Sequence, residues 1–210
     1  MFSHHGAQKH EVHKNNGTDP PYVKQSKPIV EVIGHSGQKI QREINASYPE
    51  KPRAVKNLLK MLSSLSLLAS PSGTAYNSHG WELDSSGRIL HRYASFKSSQ
   101  DAERARREIQ QAASELKHDP HICEDFSEDT SLPYMLISCT THHPVGLSLK
   151  DAKLAAKVDE ILESIGERDD TKDVILSDSD MLARRKEVYT YNLTAIEKDC
   201  TCATSHEGTD

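Results

Sequence analysis

The sequence predicts an α+β fold in which helices cover one face of an antiparallel sheet. Three observations lead to this class. Residues 81–96 have the pattern of a β-hairpin, residues 99–117 have that of an amphipathic helix, and residues 134–141 alternate as a strand does. A hairpin followed by a helix and a further strand is typical of such a sheet. The chain lacks a strand–helix–strand alternation and a glycine-rich phosphate loop, which disfavours a nucleotide enzyme.

The composition limits the class of protein. The chain has 210 residues, of which 35% are hydrophobic and 5% aromatic, and its formal net charge is -5. The low apolar content indicates that part of the chain lies outside any core, and residues 1–27 are polar and without periodicity. An acidic chain with no apolar run of about 18 residues predicts neither direct nucleic-acid binding nor membrane insertion. The N-terminus has no signal pattern and the four cysteines form no dense framework, so we expect a cytoplasmic protein with free thiols.

The first half of the chain is predicted to contain a short strand, a helix and the hairpin. Residues 28–34 form a β-like run that ends in glycine. Residues 53–69 carry leucines at helical spacing and follow Pro52, since proline is tolerated at a helix start. The hairpin turn is supplied by the Asp, Ser and Gly of residues 84–87.

The second half contains the clearest helix, over residues 99–117. Its buried stripe has small side chains that would let it lie close to a sheet, and these are Ala102, Ala105, Ile109, Ala112, Ala113 and Leu116. Pro120 stops this helix, so His118 is expected at its end. After the strand at residues 134–141, Ser148 begins another helix with Asp151 in a capping-box relation.

Two polar clusters flank the predicted strand. The first is Leu116 to His121, which contains His118 and Asp119, and the second begins Thr140-Thr141-His142-His143. Histidine titrates near neutrality and serves as an acid or a base, so the clusters are expected to meet across one pocket. If the strand continues, His142 and His143 point in opposite directions, and at least one of them lies outside that pocket.

In this order, the segments Trp81-Glu82-Leu83, His118-Asp119-Pro120, Thr140-Thr141-His142 and Gly146-Leu147-Ser148 through Asp151 resemble the pterin-4a-carbinolamine dehydratase family. The family is also known as the dimerisation cofactor of a homeodomain transcription factor. The resemblance covers residues 53–166. It leaves residues 1–52 as a mostly disordered N-terminal extension and residues 167–210 as a C-terminal extension. In the latter, a short helix is predicted over 181–186 and a strand over 188–194.

The resemblance implies a four-stranded antiparallel sheet backed by helices on one face, in a homodimer or homotetramer. It implies dehydration of 4a-hydroxytetrahydrobiopterin to quinonoid dihydropterin, without a metal or an added cofactor. His118 matches the first histidine of the family's pair and His142 matches its third histidine. The chain departs from the family at several places. Among them, Ser114, Asp119 and His121-Ile122 replace an acidic residue, the second histidine and a Glu-Trp pair, Phe126 stands where the family often has tyrosine, and about six residues are inserted near 127–133.

The candidate catalytic residues are therefore His118, His142 and Asp119. The candidate substrate-binding residues are Pro120, His121, Thr141 and Asp151, although helix capping alone would also explain Asp151. The sequence leaves open whether His121 or His143 replaces the missing imidazole.

Two other functions remain open at this point. A binding or scaffold protein on the same fold is the alternative, because the second histidine and the tryptophan are absent and a protein partner has family precedent. A metal-dependent enzyme is the third hypothesis, since His118, Asp119, His121, His142 and His143 are competent ligands.

Overall fold

The computed structural model describes residues 27–34, 37–65, 67–69, 80–125, 133–166 and 178–202. Residues 1–26 and 203–210, which belong to the predicted extensions, lie outside these ranges. The strands are β1 (Ile29–Ile33), β2 (Lys39–Glu43), β3 (Leu67–Ala69), β4 (Trp81–Leu83), β5 (Leu90–Ser95), β6 (His121–Asp125) and β7 (Tyr134–Cys139). The helices are α1 (Pro52–Leu62), α2 (Ser99–Leu116), α3 (Leu149–Ile165) and α4 (Asp178–Cys202).

The strands form one mixed sheet in the order β2-β1-β3-β4-β5-β7-β6. β4, β5, β7 and β6 pair antiparallel, whereas β3 pairs parallel with both β1 and β4. The antiparallel prediction therefore holds for these four strands. The predicted total of four strands is wrong, because β1, β2 and β3 extend the sheet beyond β4.

The first helix is shorter than predicted. α1 ends at Leu62, and the hydroxyls of Ser63 and Ser64 donate to the carbonyls of Leu59 and Met61. Serine competes with the helix for backbone hydrogen bonds in this way. The chain then continues into β3, so the last leucines of the predicted helix are strand residues.

The main core lies between the sheet and helices α2 and α3. Ala105 and Ile109 of α2 are fully buried, as are Ile137 and Cys139 of β7. The closest backbone approach of α2 is to α3 rather than to a strand. The expectation that the alanine stripe lets α2 lie close to the sheet is therefore not met, and its small side chains lie where the two helices approach each other. The Ser98 hydroxyl accepts from the Asp101 N–H and caps the start of α2.

Helix α4 lies on the opposite face of the sheet. Its Val188 packs with Tyr93 and Leu136, whose side chains point away from α2 and α3. The strand predicted over residues 188–194 is therefore wrong, and so is the placement of all helices on one face. The alternating Val-Tyr-Thr-Tyr pattern favours a strand, but Val188, Asn192 and Ile196 are buried at four-residue spacing, which is helical. Among the helices of the described ranges, none is long and apolar enough to cross a membrane.

Candidate active site

The end of α2 directs His118 toward the start of α3. Lys117 adopts a left-handed conformation with φ 51°, and the N–H of His118 donates to the carbonyl of Ala113 at 3.0 Å. The chain then passes through Asp119 and Pro120 into β6, which the sequence did not predict. Pro120 thus separates the helix end from an edge strand.

Asp151 joins the two polar clusters. Its side chain is fully buried, and its Oδ1 forms a hydrogen bond with His118 Nε2. Its Oδ2 accepts from the Ser148 N–H, from the Ser148 hydroxyl and from the Thr141 hydroxyl, each at 2.7 Å. The same carboxylate therefore caps α3, as considered, and also contacts His118, while its role in substrate binding stays a prediction. With Nε2–H directed at Asp151, the neutral His118 ring has Nδ1 as its acceptor.

His142 faces His121 rather than His143. The Nε2 atoms of His121 and His142 are 3.0 Å apart, and their rings meet edge to face with centroids 5.0 Å apart. At this distance one ring donates and the other accepts, so one of the two Nε2 atoms carries the hydrogen between them. His143 is exposed. His121, one of the two histidines left open as a replacement imidazole, contacts His142.

The turn that carries His142 is anchored to the N-terminal part of the domain. Thr141 and Gly146 exchange backbone hydrogen bonds of 2.9 and 3.0 Å across this turn. Leu147 N–H then donates to the carbonyl of Asn45 at 2.7 Å. Gly146 has φ +144°, and a Cβ at this position would lie 2.4 Å from the Asn45 oxygen. Glycine is therefore required where this turn crosses residues 45–47.

Asp119 and Pro120 line a surface cleft of about 470 Å³ between α2 and β6. Its lining residues are Arg106, Gln110, Ala113, Ser114, Asp119, Pro120, Ile122 and Glu124. Glu124 Oε1 is buried and has no hydrogen-bond partner among the described residues, while Oε2 lies 3.6 Å from Arg106 Nη1. The cleft therefore contains an unsatisfied acceptor.

The predicted site residues thus fall into three groups. His118, Asp151 and Thr141 form one hydrogen-bonded chain, and His121 and His142 form a pair. Asp119 and Pro120 line the cleft, where sequence reasoning missed Arg106 and Glu124. Glu124 could have been placed beside Ile122 if β6 had been recognised, because alternate strand residues share a face. In the described part of the chain, no group of three or more His, Cys, Asp or Glu side chains is placed to hold a metal ion.

Comparison with known proteins gives one family match. The sequence model of the family described as pterin 4 alpha carbinolamine dehydratase matches residues 68–161. No curated protein matches the chain. Among solved structures, a transcriptional coactivator/pterin dehydratase from Brucella melitensis is similar at 21% identity and a TM-score of 0.37, over 49% of this chain and 89% of that chain. The family match includes His118, His142 and Asp151, and ends before α4.

Proposed function

We propose that the chain, whose residues 68–161 match the sequence model of the pterin-4a-carbinolamine dehydratase family, dehydrates 4a-hydroxytetrahydrobiopterin to quinonoid dihydropterin. In this reaction the C4a–O bond breaks, the hydroxyl takes up a proton and leaves as water, and N5 loses a proton as the C4a–N5 double bond forms. The chemistry needs one proton acceptor and one proton donor near neutral pH. It needs no metal and no added cofactor.

The proposal is carried by the contact between His118 and the buried Asp151. A histidine held by a buried carboxylate keeps one tautomer and one orientation, which acid–base catalysis requires. His118 is only 12% exposed, so water has limited access to its ring. We assign His118 Nδ1 as the base that removes the N5 proton.

We assign the opposite role to His142. The Nε2 atoms of His142 and His121 are 3.0 Å apart, and we propose that this pair carries one proton more than two neutral rings. One ring is then an imidazolium that gives its proton to the departing hydroxyl, which leaves both rings neutral. His121 thus provides the second imidazole that Asp119 does not. Proton uptake by His118 balances proton loss from the pair, and exchange with solvent restores both before the next turnover.

We propose that only the aminopyrimidinone end of the pterin occupies the cleft beside Asp119 and Pro120, because none of the three histidines lines this cleft. Its volume of about 470 Å³ is within the usual range for small-molecule pockets. The aminopyrimidinone end of a pterin has neighbouring N–H donors, which complement the unsatisfied Glu124 oxygen. Thr141 acts through Asp151 rather than through the cleft, since its hydroxyl is 2.7 Å from Asp151 Oδ2.

Assembly and location complete the proposal. We propose a cytoplasmic homodimer or homotetramer, as the family resemblance implies. Among the described strands, β6 has a partner on one side only, so a second chain has a strand edge available beside the site.

Stopped-flow absorbance of 4a-hydroxytetrahydropterin breakdown tests the proposal. The wild type should accelerate the reaction. His118→Ala and His142→Ala should each lower the rate by roughly 10²–10⁴-fold, the range for lost acid–base catalysis. His143→Ala is the matched control, because His143 is an exposed neighbour of His142, and it should retain the wild-type rate.

The alternative is a non-catalytic binding protein on the same fold. It is supported by Asp119 and Ile122, which stand in the cleft where the family has a histidine and a tryptophan. A folded wild type that gives no acceleration would overturn the dehydratase proposal in favour of this alternative. Binding of a pterin without turnover would identify its ligand.

A further inference from the structure

Helix α4 lies outside the segment that matches the family, yet it packs on the sheet beside the histidine pair. Val188 packs with Leu136 of β7, and Asn192 Nδ2 donates to Ser138 Oγ at 2.7 Å. Four helical residues span about 6 Å and two strand residues span about 6.6 Å. α4 and β7 therefore run side by side in the same direction, and four residues along α4 advance about as far as two residues along β7.

This spacing predicts the position of the next helical turn. Ile196 follows Asn192 by four residues, as Thr140 follows Ser138 by two, so Ile196 lies level with Thr140. Ile196 is only 3% exposed, although it is near the end of the chain. Thr140 directly precedes Thr141 and His142, so this turn of α4 reaches the end of β7 that carries the site.

Ser138 connects α4 to the neighbouring strands. In the sheet register it lies opposite His91 of β5 and opposite His121 of β6. Residues that are opposite each other in a sheet have side chains on the same face. The acceptor of the Asn192 hydrogen bond is therefore the cross-strand neighbour of His121.

The hydrogen bonds around Ser138 are fully buried. Ser138 and His91 have no exposed surface and Asn192 has 3%. His91 Nδ1 lies 2.7 Å from Ser138 Oγ, so this hydroxyl bonds to β5 as well as to α4. A buried polar group that loses its partner is strongly disfavoured, which makes this contact specific for one position of the helix.

We propose that α4 is part of the active site, in which Asn192 is a positioning residue that acts through Ser138 and the turn with Ile196 forms the outer wall of the His121–His142 pair. The wall keeps water from the two rings, so that the proton of the pair goes to the substrate. The effect on turnover rests on the proposed dehydratase function. The position of α4 on the sheet and the shielding of the two histidines do not depend on that function.

The first test is Asn192→Asp, which keeps the side-chain shape but removes the N–H donor. Amide exchange in α4 should accelerate roughly tenfold, as expected for the loss of one buried hydrogen bond. Modification of His121 and His142 by diethyl pyrocarbonate, resolved by peptide mass spectrometry, should accelerate by a similar factor. Exposed His143 is the internal reference and should react at an unchanged rate.

Thr194→Ala is the matched control on the same helix. Thr194 is exposed and its hydroxyl donates only to the carbonyl of Thr190 within α4, so the control should resemble the wild type in both measurements. If Asn192→Asp loosens α4 while the reactivity of His121 and His142 stays the same, α4 merely covers the sheet and the proposal is overturned. Unchanged amide exchange in this variant would overturn it as well.

Ile196→Ala provides a second, milder variant if Asn192→Asp does not fold. It shortens the wall without removing a hydrogen bond, and exposed Glu197→Ala is its control. We expect faster modification of His142, a raised KM and a displaced pH profile of kcat. If His142 keeps its wild-type reactivity, the wall assignment is overturned. If the wild-type chain does not catalyse the dehydration, only the kinetic measurements are lost, because the reactivity of His142 still tests the position of α4.

Discussion

The position after His118 carries Asp119, where the family whose sequence model matches residues 68–161 has its second histidine. Asp119 is exposed and lines the cleft, whereas His121 contacts His142. If His121 has taken over the missing imidazole, the two positions should compensate for each other. Residues that act as one unit have non-additive effects on rate.

We expect His121→Ala to lower the dehydration rate by roughly 10²-fold in the wild-type background. In the Asp119→His background, where the family's histidine is restored, the same change should have a much smaller effect. Stopped-flow rates of the four chains form the required double-mutant cycle. Equal losses in both backgrounds would contradict the replacement of Asp119 by His121.

His91 makes the stability of the chain dependent on pH. Burial lowers the pKa of His91 from its usual 6.5 to about 4, and the charge of Asp84 opposes this shift. The folded state therefore favours the neutral ring. Above pH 6.5 the ring is neutral in both the folded and the unfolded chain, so burial of neutral His91 does not oppose folding. As the pH falls from 6.5 toward 4, the ring becomes protonated in the unfolded chain first, and the free energy of unfolding decreases by a total of about 3 kcal/mol.

Chemical denaturation between pH 7 and pH 4 measures this decrease. His91→Phe keeps a ring against Tyr189, which meets His91 edge to face at 4.8 Å between centroids, but it does not titrate. We expect the variant to lose less of its free energy of unfolding on acidification than the wild type. His143→Gln, which changes an exposed histidine, should follow the wild-type curve.

Among the elements, those with both periodicity and capping residues could be predicted from the sequence. α2 has an alanine stripe and Ser98, and α3 has Ser148 and the left-handed Gly166, so their bounds were close to those observed. β6 was missed because His-Ile-Cys-Glu-Asp alternates weakly and follows a proline. Its strand conformation depends on pairing with β7, which is a tertiary contact that a sequence window does not contain.

The contacts of the candidate site could likewise be predicted only where they depend on local sequence. The pairing of His118 with Asp151 could be anticipated in part, because one lies at the end of a helix and the other at the start of the next. The contact of His121 with His142 could not, because it depends on the register of β6 against β7. The helical state of α4 was also set by burial against the sheet rather than by its local sequence.

The turn between β7 and α3 gives a prediction for Gly146. Gly146→Ala should lower the free energy of unfolding by about 2 kcal/mol or more, since it combines a positive φ with a backbone clash. Gly37→Ala is the control, because Gly37 has φ +77° but nothing within 4 Å of its Cβ position. Thermal and urea unfolding of both variants separate the clash from the strain. Equal destabilisation would contradict the close approach to Asn45.

At the scale of the whole molecule, the family segment is enclosed by parts of the chain on either side of it. β1 and β2 extend the sheet next to β3, α1 packs against the main core, and α4 covers the second face. The matched residues 68–161 therefore leave out both β1, one of the two strands that pair with β3, and the helix whose Asn192 bonds to the buried Ser138. Unpaired edges and uncovered apolar faces promote association between chains.

We expect a fragment of residues 68–161 to aggregate or to unfold at a lower temperature than a chain of residues 27–202. Light scattering and thermal unfolding of the two proteins provide the comparison. A monodisperse fragment with the stability of the longer chain would contradict the contribution of β1, β2 and α4.

The shared carboxylate of Asp151 affects how the sequences of relatives should be interpreted. Asp151 caps the start of α3 and also bonds to His118. A relative without catalysis would therefore still be selected to retain this aspartate for folding. Retention of this aspartate in a relative is therefore a poor marker of activity. Asp119 is exposed and caps no helix, so selection for folding constrains it far less. The identities at positions 119 and 121, taken together, are the better guide to which relatives still turn over a substrate.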